Sequence, residues 1–197
     1  MAQLAPLEVF NSGLHVAASC AQIPSMSDRK KPIVNLADLE FKPFNGPSPP
    51  DGNATYDGRF AFVGPMIGAD KLGYSVAVIP PKKRAFQLHN HRVNEEMFFI
   101  LEGEGELRVG SETYPIKSGD FIACPPGGPE TAHQIVNTSD RELKVLGIST
   151  KLSPEIVDYP ESNKIGVMGT FPGPDGKPTV VRFLARTGES LGYWDEK

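Results

Sequence analysis

At 197 residues the chain is long enough for one substantial core and short for two full domains. Its 20 Lys and Arg against 24 Asp and Glu leave a net charge of −4 with no basic stripe, which argues against nucleic acid or an anionic membrane as partner. No apolar run approaches the length of a transmembrane helix.

Three textures follow one another along the chain. Residues 1–58 read as an irregular N-terminal extension with one strand-like patch, Lys31 to Leu36, and a Pro/Gly-rich loop from Phe44 to Gly52. The start lacks the basic residues of a secretory signal, and Cys20 and Cys124 are too few for a disulfide framework, so reduced thiols in the cytoplasm are expected. Residues 59–150 are a dense series of short β-type runs: 59–63, 72–79, 85–91, 96–101, 105–109, 112–116, 120–124, 133–137 and 142–149. Turn signals such as Gly103-Glu104-Gly105 and Lys117-Ser118-Gly119-Asp120 separate them, the texture of an all-β sandwich or barrel. Residues 151–197 read as a C-terminal extension packing on the barrel, with one strand candidate, Thr179 to Leu184, and an anchoring aromatic pair, Tyr193-Trp194.

Three of the four histidines fall in two short segments of that β-rich region. His89 and His91 are two apart, so on a strand they share a face. Arg92 to Asn94 interrupts the apolar pattern as a tight connection would, and Glu96 then opens the strand-like run Met97 to Leu101. A turn there resets the alternation, so Glu96 can face the histidines from the neighbouring strand. His133 arrives from a distant strand. Neutral imidazoles with one carboxylate form a mixed N/O donor set suited to Fe, Mn, Ni or Zn.

Taken together these segments resemble the two motifs of the cupin superfamily. His89, His91, Glu96 and Gly103 match the core of the first motif, and Gly119, Pro125, Gly127, His133 and Asn137 match the second. Two departures stand out. The leading glycine of the first motif is replaced by Pro80-Pro81-Lys82-Lys83-Arg84, and five residues rather than two separate Gly127 from His133. Glu95 competes with Glu96 as ligand because the family tolerates either spacing; the six-residue step to Gly103 selects Glu96. The resemblance implies a double-stranded β-helix, or jelly-roll barrel, with His89, His91, Glu96 and His133 as metal ligands.

If Glu96 points into the barrel, so do Phe98 and Ile100, while Met97, Phe99 and Leu101 point outward. Phe98 and Ile135 are then the expected contacts for a bound small molecule in an apolar cavity, and Gln87, on the His89/His91 face, is expected either to touch that molecule or to hold a histidine tautomer. Both faces of the Glu96 strand are apolar, so the outer one needs covering, either by residues 1–58 or 179–197 folding back or by a second subunit; the homodimer is the expected cover, with the Lys31 to Leu36 patch adding a strand across the interface. Cys124 precedes a Pro-Pro turn with no orienting acid and reads as a buried small hydrophobe; His15 reads as solvated. The implied functions are a small-molecule metalloenzyme of dioxygenase, isomerase or decarboxylase type, or a metal-dependent binding or sensing protein without turnover. No catalytic acid or base stands beside the ligands in sequence, with Tyr74 and Glu130 the two candidates.

Overall fold

The computed structural model describes residues 30–43, 55–173, 176–189 and 191–194. A two-residue strand β1 (Lys42–Pro43) leads to β2 (Arg59–Phe62), the short helix α1 (Val63–Ile67) and the long strand β3 (Leu72–Ile79). Two motif-bearing strands follow, β4 (Asn90–His91) and β5 (Glu96–Glu102), then β6 (Glu104–Val109), β7 (Glu112–Lys117) and β8 (Phe121–Cys124). After a 3-10 turn at Pro129–Thr131 come β9 (His133–Val136) and β10 (Leu143–Thr150). The C-terminal region adds β11 (Glu155–Tyr159), β12 (Lys164–Pro172) and β13 (Pro178–Arg186).

These strands form a six-stranded sheet in the order β1-β2-β3-β10-β5-β8, a three-stranded sheet β7-β6-β9 and a four-stranded sheet β13-β12-β11-β4. Every pairing between strands is antiparallel. The core lies between the first two sheets, where Ile79, Ile100, Leu143 and Val145 meet Leu107 and Ile116. The fold is all-β, of the jelly-roll type.

Glycine permits two close approaches that hold the sheets together. Gly103, at φ +89°, turns β5 into β6, and a Cβ there would lie 2.6 Å from the Glu142 carbonyl. At Gly105 a Cβ would lie 2.4 Å from the carbonyl of Val136, so β6 can pass β9 only with no side chain at that point.

Register places the site. Phe98 pairs with Gly147 and Gly147 with Ser75, so one cross-strand row carries a large ring beside two small residues. Ser75, Ala77, Ala85 and Gly147 are too small to fill the space under Phe98, and a cavity of about 50 Å3 remains inside the barrel.

Several expectations need correcting. The Lys31 to Leu36 patch forms no strand; its end is a 3-10 turn at Leu36–Asp38, with the Asn35 side chain accepting from the Ala37 amide at 2.9 Å. An Asn at the start of a turn competes with a strand ladder in this way. The run 85–91 is mostly irregular, pairing only through isolated bridges at Arg84 and His89 and the short β4. The region after residue 150 carries three strands, not one: β12 was masked in sequence by Gly166 and Gly169, and β11 pairs with the His91 strand. Tyr193 and Trp194 contact each other edge to face at 4.7 Å but are 89% and 84% exposed, so they do not anchor the chain end on the barrel.

Candidate metal centre

The segment from His89 to His91 passes from one sheet to another. His89 exchanges backbone hydrogen bonds with His133, its amide donating to the His133 carbonyl at 3.2 Å and its carbonyl accepting from the His133 amide at 2.8 Å. His91 pairs instead with Val157 of β11. Between them Asn90 is fully buried, its Nδ2 donating to the Gly127 carbonyl at 2.8 Å and to Asp158 Oδ2 at 2.9 Å. The Gly127 amide returns a bond to the His91 carbonyl at 2.9 Å, which fixes the long loop of the second motif against the histidine strand.

The turn from His91 to Glu96 is held by an acid from the C-terminal region. Glu155 is buried, and its carboxylate accepts from the Val93 amide at 3.2 Å, the Asn94 amide at 2.9 Å and the Asn94 side chain. Asn94 Oδ1 in turn accepts from Thr150 Oγ1 at 2.8 Å and the Leu152 amide at 2.7 Å. With its backbone groups so paired the turn resets the strand alternation, and Glu96 points to the histidines while Glu95 is exposed.

One donor atom from each of His89, His91 and Glu96 lies within 4.8 Å of the others. His133 joins through Glu96, its Nε2 standing 3.1 Å from Oε2; His91 Nε2 is 3.4 Å from the same oxygen. The His133 ring centroid is 4.9 Å from that of His89 and 6.2 Å from that of His91. The backbone presets two of the rings. His89 Nδ1 lies 2.8 Å from the Gln87 carbonyl and His133 Nδ1 lies 3.3 Å from the Thr131 carbonyl. A carbonyl only accepts, so each Nδ1 carries the proton and each Nε2 keeps a lone pair for another partner.

The arrangement fits a divalent cation on its own chemistry. A lone pair on His133 Nε2 facing a carboxylate oxygen at 3.1 Å is repulsive unless a proton or a metal stands between them. Both ring nitrogens of His91 are buried and make no hydrogen bond among the described residues, standing 3.4 Å and 3.5 Å from carboxylate oxygens of Glu96 and Glu155, an arrangement that leaves room for a shared cation. Three imidazoles and one carboxylate give the mixed N/O set that suits Fe, Mn, Ni or Zn.

Electrostatics separates the members. Burial, then the neighbouring His133, lowers the His89 pKa to about 4, so this ring is neutral near pH 7. For His91 burial works against the charged form, but Glu96 and then Glu155 outweigh it and the pKa is raised. Burial also opposes ionisation of Glu96, yet contact with His133 and His91 holds its carboxyl well below the usual carboxylate range.

The remaining candidates fall in different places. Phe98 and Ile135 line the cavity beside His89 and His133. Gln87 does not; it is exposed, and its side-chain oxygen accepts from Ser162 Oγ at 3.3 Å, while its backbone carbonyl is what holds His89. Tyr74 lies on the opposite face of β3 from Ser75 and Ala77, which line the cavity. Glu130 is exposed, its carboxylate accepting from the Gly128 amide at 2.9 Å on its own loop. Asn137 is buried away from the ligands, donating to the Ile79 and Arg141 carbonyls at 2.8 and 2.7 Å and so closing the turn into β10. Burial, with the Glu96 charge adding, pushes the Cys124 thiol up to about 12, which leaves it no thiolate for nucleophilic chemistry near pH 7. His15 and Cys20 lie outside the described residues.

Two residues of the site went unnoticed in the sequence. Glu155 places a carboxylate oxygen 3.5 Å from His91 Nδ1, and the Tyr159 ring stacks on His89 at 6.0 Å between centroids. Both lie on β11, outside either motif; the only signal for Glu155 was a lone acid before an apolar pair.

Residues 75–149 match the cupin domain family. The chain carries a cupin domain. Among curated sequences the chain is 36% identical over 76 residues to an uncharacterized protein from Methanocaldococcus jannaschii, covering 39% of the chain and 58% of that protein. It is 32% identical over 68 residues to an oxalate-binding protein of Thermotoga maritima, covering 34% of the chain and 54% of the relative. The cupin thus spans little more than half the length of each of these two relatives. Among solved structures it is similar to a cupin-superfamily sugar phosphate isomerase of Silicibacter pomeroyi, with a TM-score of 0.66 at 21% identity over 82% of this chain and 98% of that one. A candidate sugar phosphate isomerase of Acidithiobacillus ferrooxidans gives 0.61 at 24% identity, over 84% and 98%. At these identities the structural likeness speaks for the fold alone. No helix among the described residues is long and apolar enough to cross a membrane.

Proposed function

We propose that this cupin is a metal-dependent protein of the cytoplasm that takes a small oxygen-bearing molecule, with His89, His91, Glu96 and His133 as the ligands of one divalent ion. The observation that carries the reading is His91: a buried imidazole that makes no hydrogen bond among the described residues and stands 3.4 Å from a Glu96 oxygen that a second, carbonyl-oriented imidazole also faces. When bound, the ion would supply Lewis acidity toward a substrate oxygen or, if redox-active, chemistry with O2.

The protein's own part is placement and exclusion of water. The Gln87 and Thr131 carbonyls hold His89 and His133 in the tautomer that ligates through Nε2. Glu96 stays anionic at neutral pH and supplies the negative donor. Phe98 and Ile135 wall the cavity beside the donor set, so a ligand held there loses water from its inner side. This supports a metalloenzyme of oxygenase, isomerase or decarboxylase type.

A second reading, binding or sensing without turnover, draws support from the lining itself. Besides the two histidines, the described lining offers only Ser75 and Gln134 as polar side chains. Gln134 is already committed, donating to the Phe86 carbonyl at 2.6 Å and accepting from Arg108 at 2.8 Å. Tyr74 and Glu130 face elsewhere. Metal-loaded protein, screened for O2 uptake and for product from hydroxy- and oxo-acids, separates the readings. O2 consumption with iron supports an oxygenase, product without O2 supports an isomerase or decarboxylase, and tight retention without product supports a sensor.

A further inference from the structure

The cavity beside the donor set is apolar on nearly every side. Phe60, Ala77, Ile79, Phe98, Ile135 and Val145 supply most of its wall. Among the described residues no Lys or Arg lines it. Several basic side chains of the barrel and its C-terminal sheet are engaged with other groups: Arg108 bonds Gln134 and Glu161, Arg92 bonds Asp158 at 2.6 Å, Arg59 bonds Glu142, Lys144 bonds Glu102 at 2.9 Å, and Lys164 Nζ stands 5.2 Å over the Tyr159 ring. A phosphate group entering this space would lose its hydration with no cation to replace it, a cost proteins avoid by pairing or neutralising buried charge. A hydrocarbon group entering the same space loses nothing of that kind and gains by burial. The space is also small. At about 50 Å3 it admits roughly four water-sized groups, since one water needs about 10–15 Å3.

We propose that the ligand of this site is unphosphorylated: a small molecule with a chelating oxygen pair at one end and a short hydrocarbon body that lies between Phe98, Ala77 and Ile135. This rests on the metal-site reading for the chelating end and on the cavity alone for the body. It separates this cupin from the sugar phosphate chemistry named for the Silicibacter protein whose fold it shares.

Three hydroxamates with one chelating end test it on Mn2+-loaded protein by calorimetry: acetohydroxamate, butyrohydroxamate and phosphoglycolohydroxamate. Two added methylenes should make butyrohydroxamate about tenfold tighter than acetohydroxamate, whereas phosphoglycolohydroxamate should bind no tighter than acetohydroxamate. Ala77→Phe fills the cavity and should erase the butyryl advantage; Ser75→Leu does the same from the neighbouring position on β3 if the first variant folds poorly. In metal-free protein, xenon should occupy the cavity, observed by crystallography under xenon pressure or by 129Xe NMR, and Ala77→Phe should expel it. Tighter binding of phosphoglycolohydroxamate than of butyrohydroxamate, or a cavity empty of xenon, overturns the inference. Loss of all three hydroxamates with xenon retained would instead strike the metal reading and support the apolar body site.

Discussion

The carboxylate of Glu155 stands 3.5 Å from Nδ1 of His91, on the side of the ring away from Glu96. This one acid does two things: it caps the amides of the turn between the motif histidines and Glu96, and it faces the otherwise unpartnered nitrogen of His91. A carboxylate behind a ligating imidazole fixes the ring and raises its basicity. Glu155→Gln keeps the size of the side chain and removes the charge. Metal affinity, measured by competition with a chromophoric chelator, should fall about tenfold or more. Unchanged affinity in a folded variant would leave Glu155 as a turn cap only.

The pH dependence follows from His89 and His91, which move in opposite directions. The raised pKa of His91 means that a proton competes with a metal for this ring above pH 6.5, so apparent affinity should climb by up to about tenfold per pH unit until that proton is gone. His89, at about 4, offers no such competition near neutrality. The stability of the metal-free protein has its own sign. A histidine depressed from 6.5 to about 4 leaves the unfolded chain binding more protons between those values, so acidification through that window favours unfolding. The raised His91 works the other way, its contribution present below pH 6.5 and lost as pH rises through its folded value. Thermal melts from pH 4 to 8 should show His89→Gln flattening the acid side of the profile. An acid limb identical to wild type would contradict the assignment.

Much of the fold was legible because its strands obey short-range rules. The runs at 72–79, 96–101 and 112–116 correspond to β3, β5 and β7 within a residue at either end, since their β-branched and aromatic residues lie between Gly, Asp and Ser turns. The ligand candidates were legible because histidine is scarce and the motif spacing is fixed. Glu155 and Tyr159 were not, since only the pairing of β11 with β4, set by tertiary structure, brings them to the site. Gln87 misled for a related reason: parity arguments hold on a regular strand, and the chain at 85–88 is irregular.

Gly105 offers a test of the frame that is independent of the site. Gly105→Ala would put a methyl 2.4 Å from the Val136 carbonyl, and backbone cannot step aside as a side chain can. β6 and β9 should separate, at a cost on the order of 2–3 kcal/mol. Denaturant melts read this directly, and a cost under about 0.5 kcal/mol would show that the two strands are less tightly apposed.

Two apolar surfaces remain uncovered by the described residues. Phe121 is 76% exposed and packs on Phe99 at 4.5 Å between centroids, on the outer side of the six-stranded sheet. The edge strand β13 exposes Val180, Phe183 and Leu184. Soluble proteins rarely leave such patches open, and a second copy related by a two-fold axis is the commonest cover. We therefore expect a homodimer. Light scattering at micromolar concentration should give about twice the 21.4 kDa chain mass, with Phe99→Glu returning the monomer. A single-chain mass for the wild type would refute it.

The central claim is that one divalent ion sits among His89, His91, Glu96 and His133. Its most direct test is elemental analysis by mass spectrometry of protein purified without chelator, beside Glu96→Ala and His91→Ala prepared identically. The account predicts about one equivalent of Fe, Mn, Ni or Zn in the wild type and near none in either variant, because removing one ligand unsettles the rest. A wild-type protein that takes up no such metal even when it is supplied, or variants that retain a full equivalent, would contradict it.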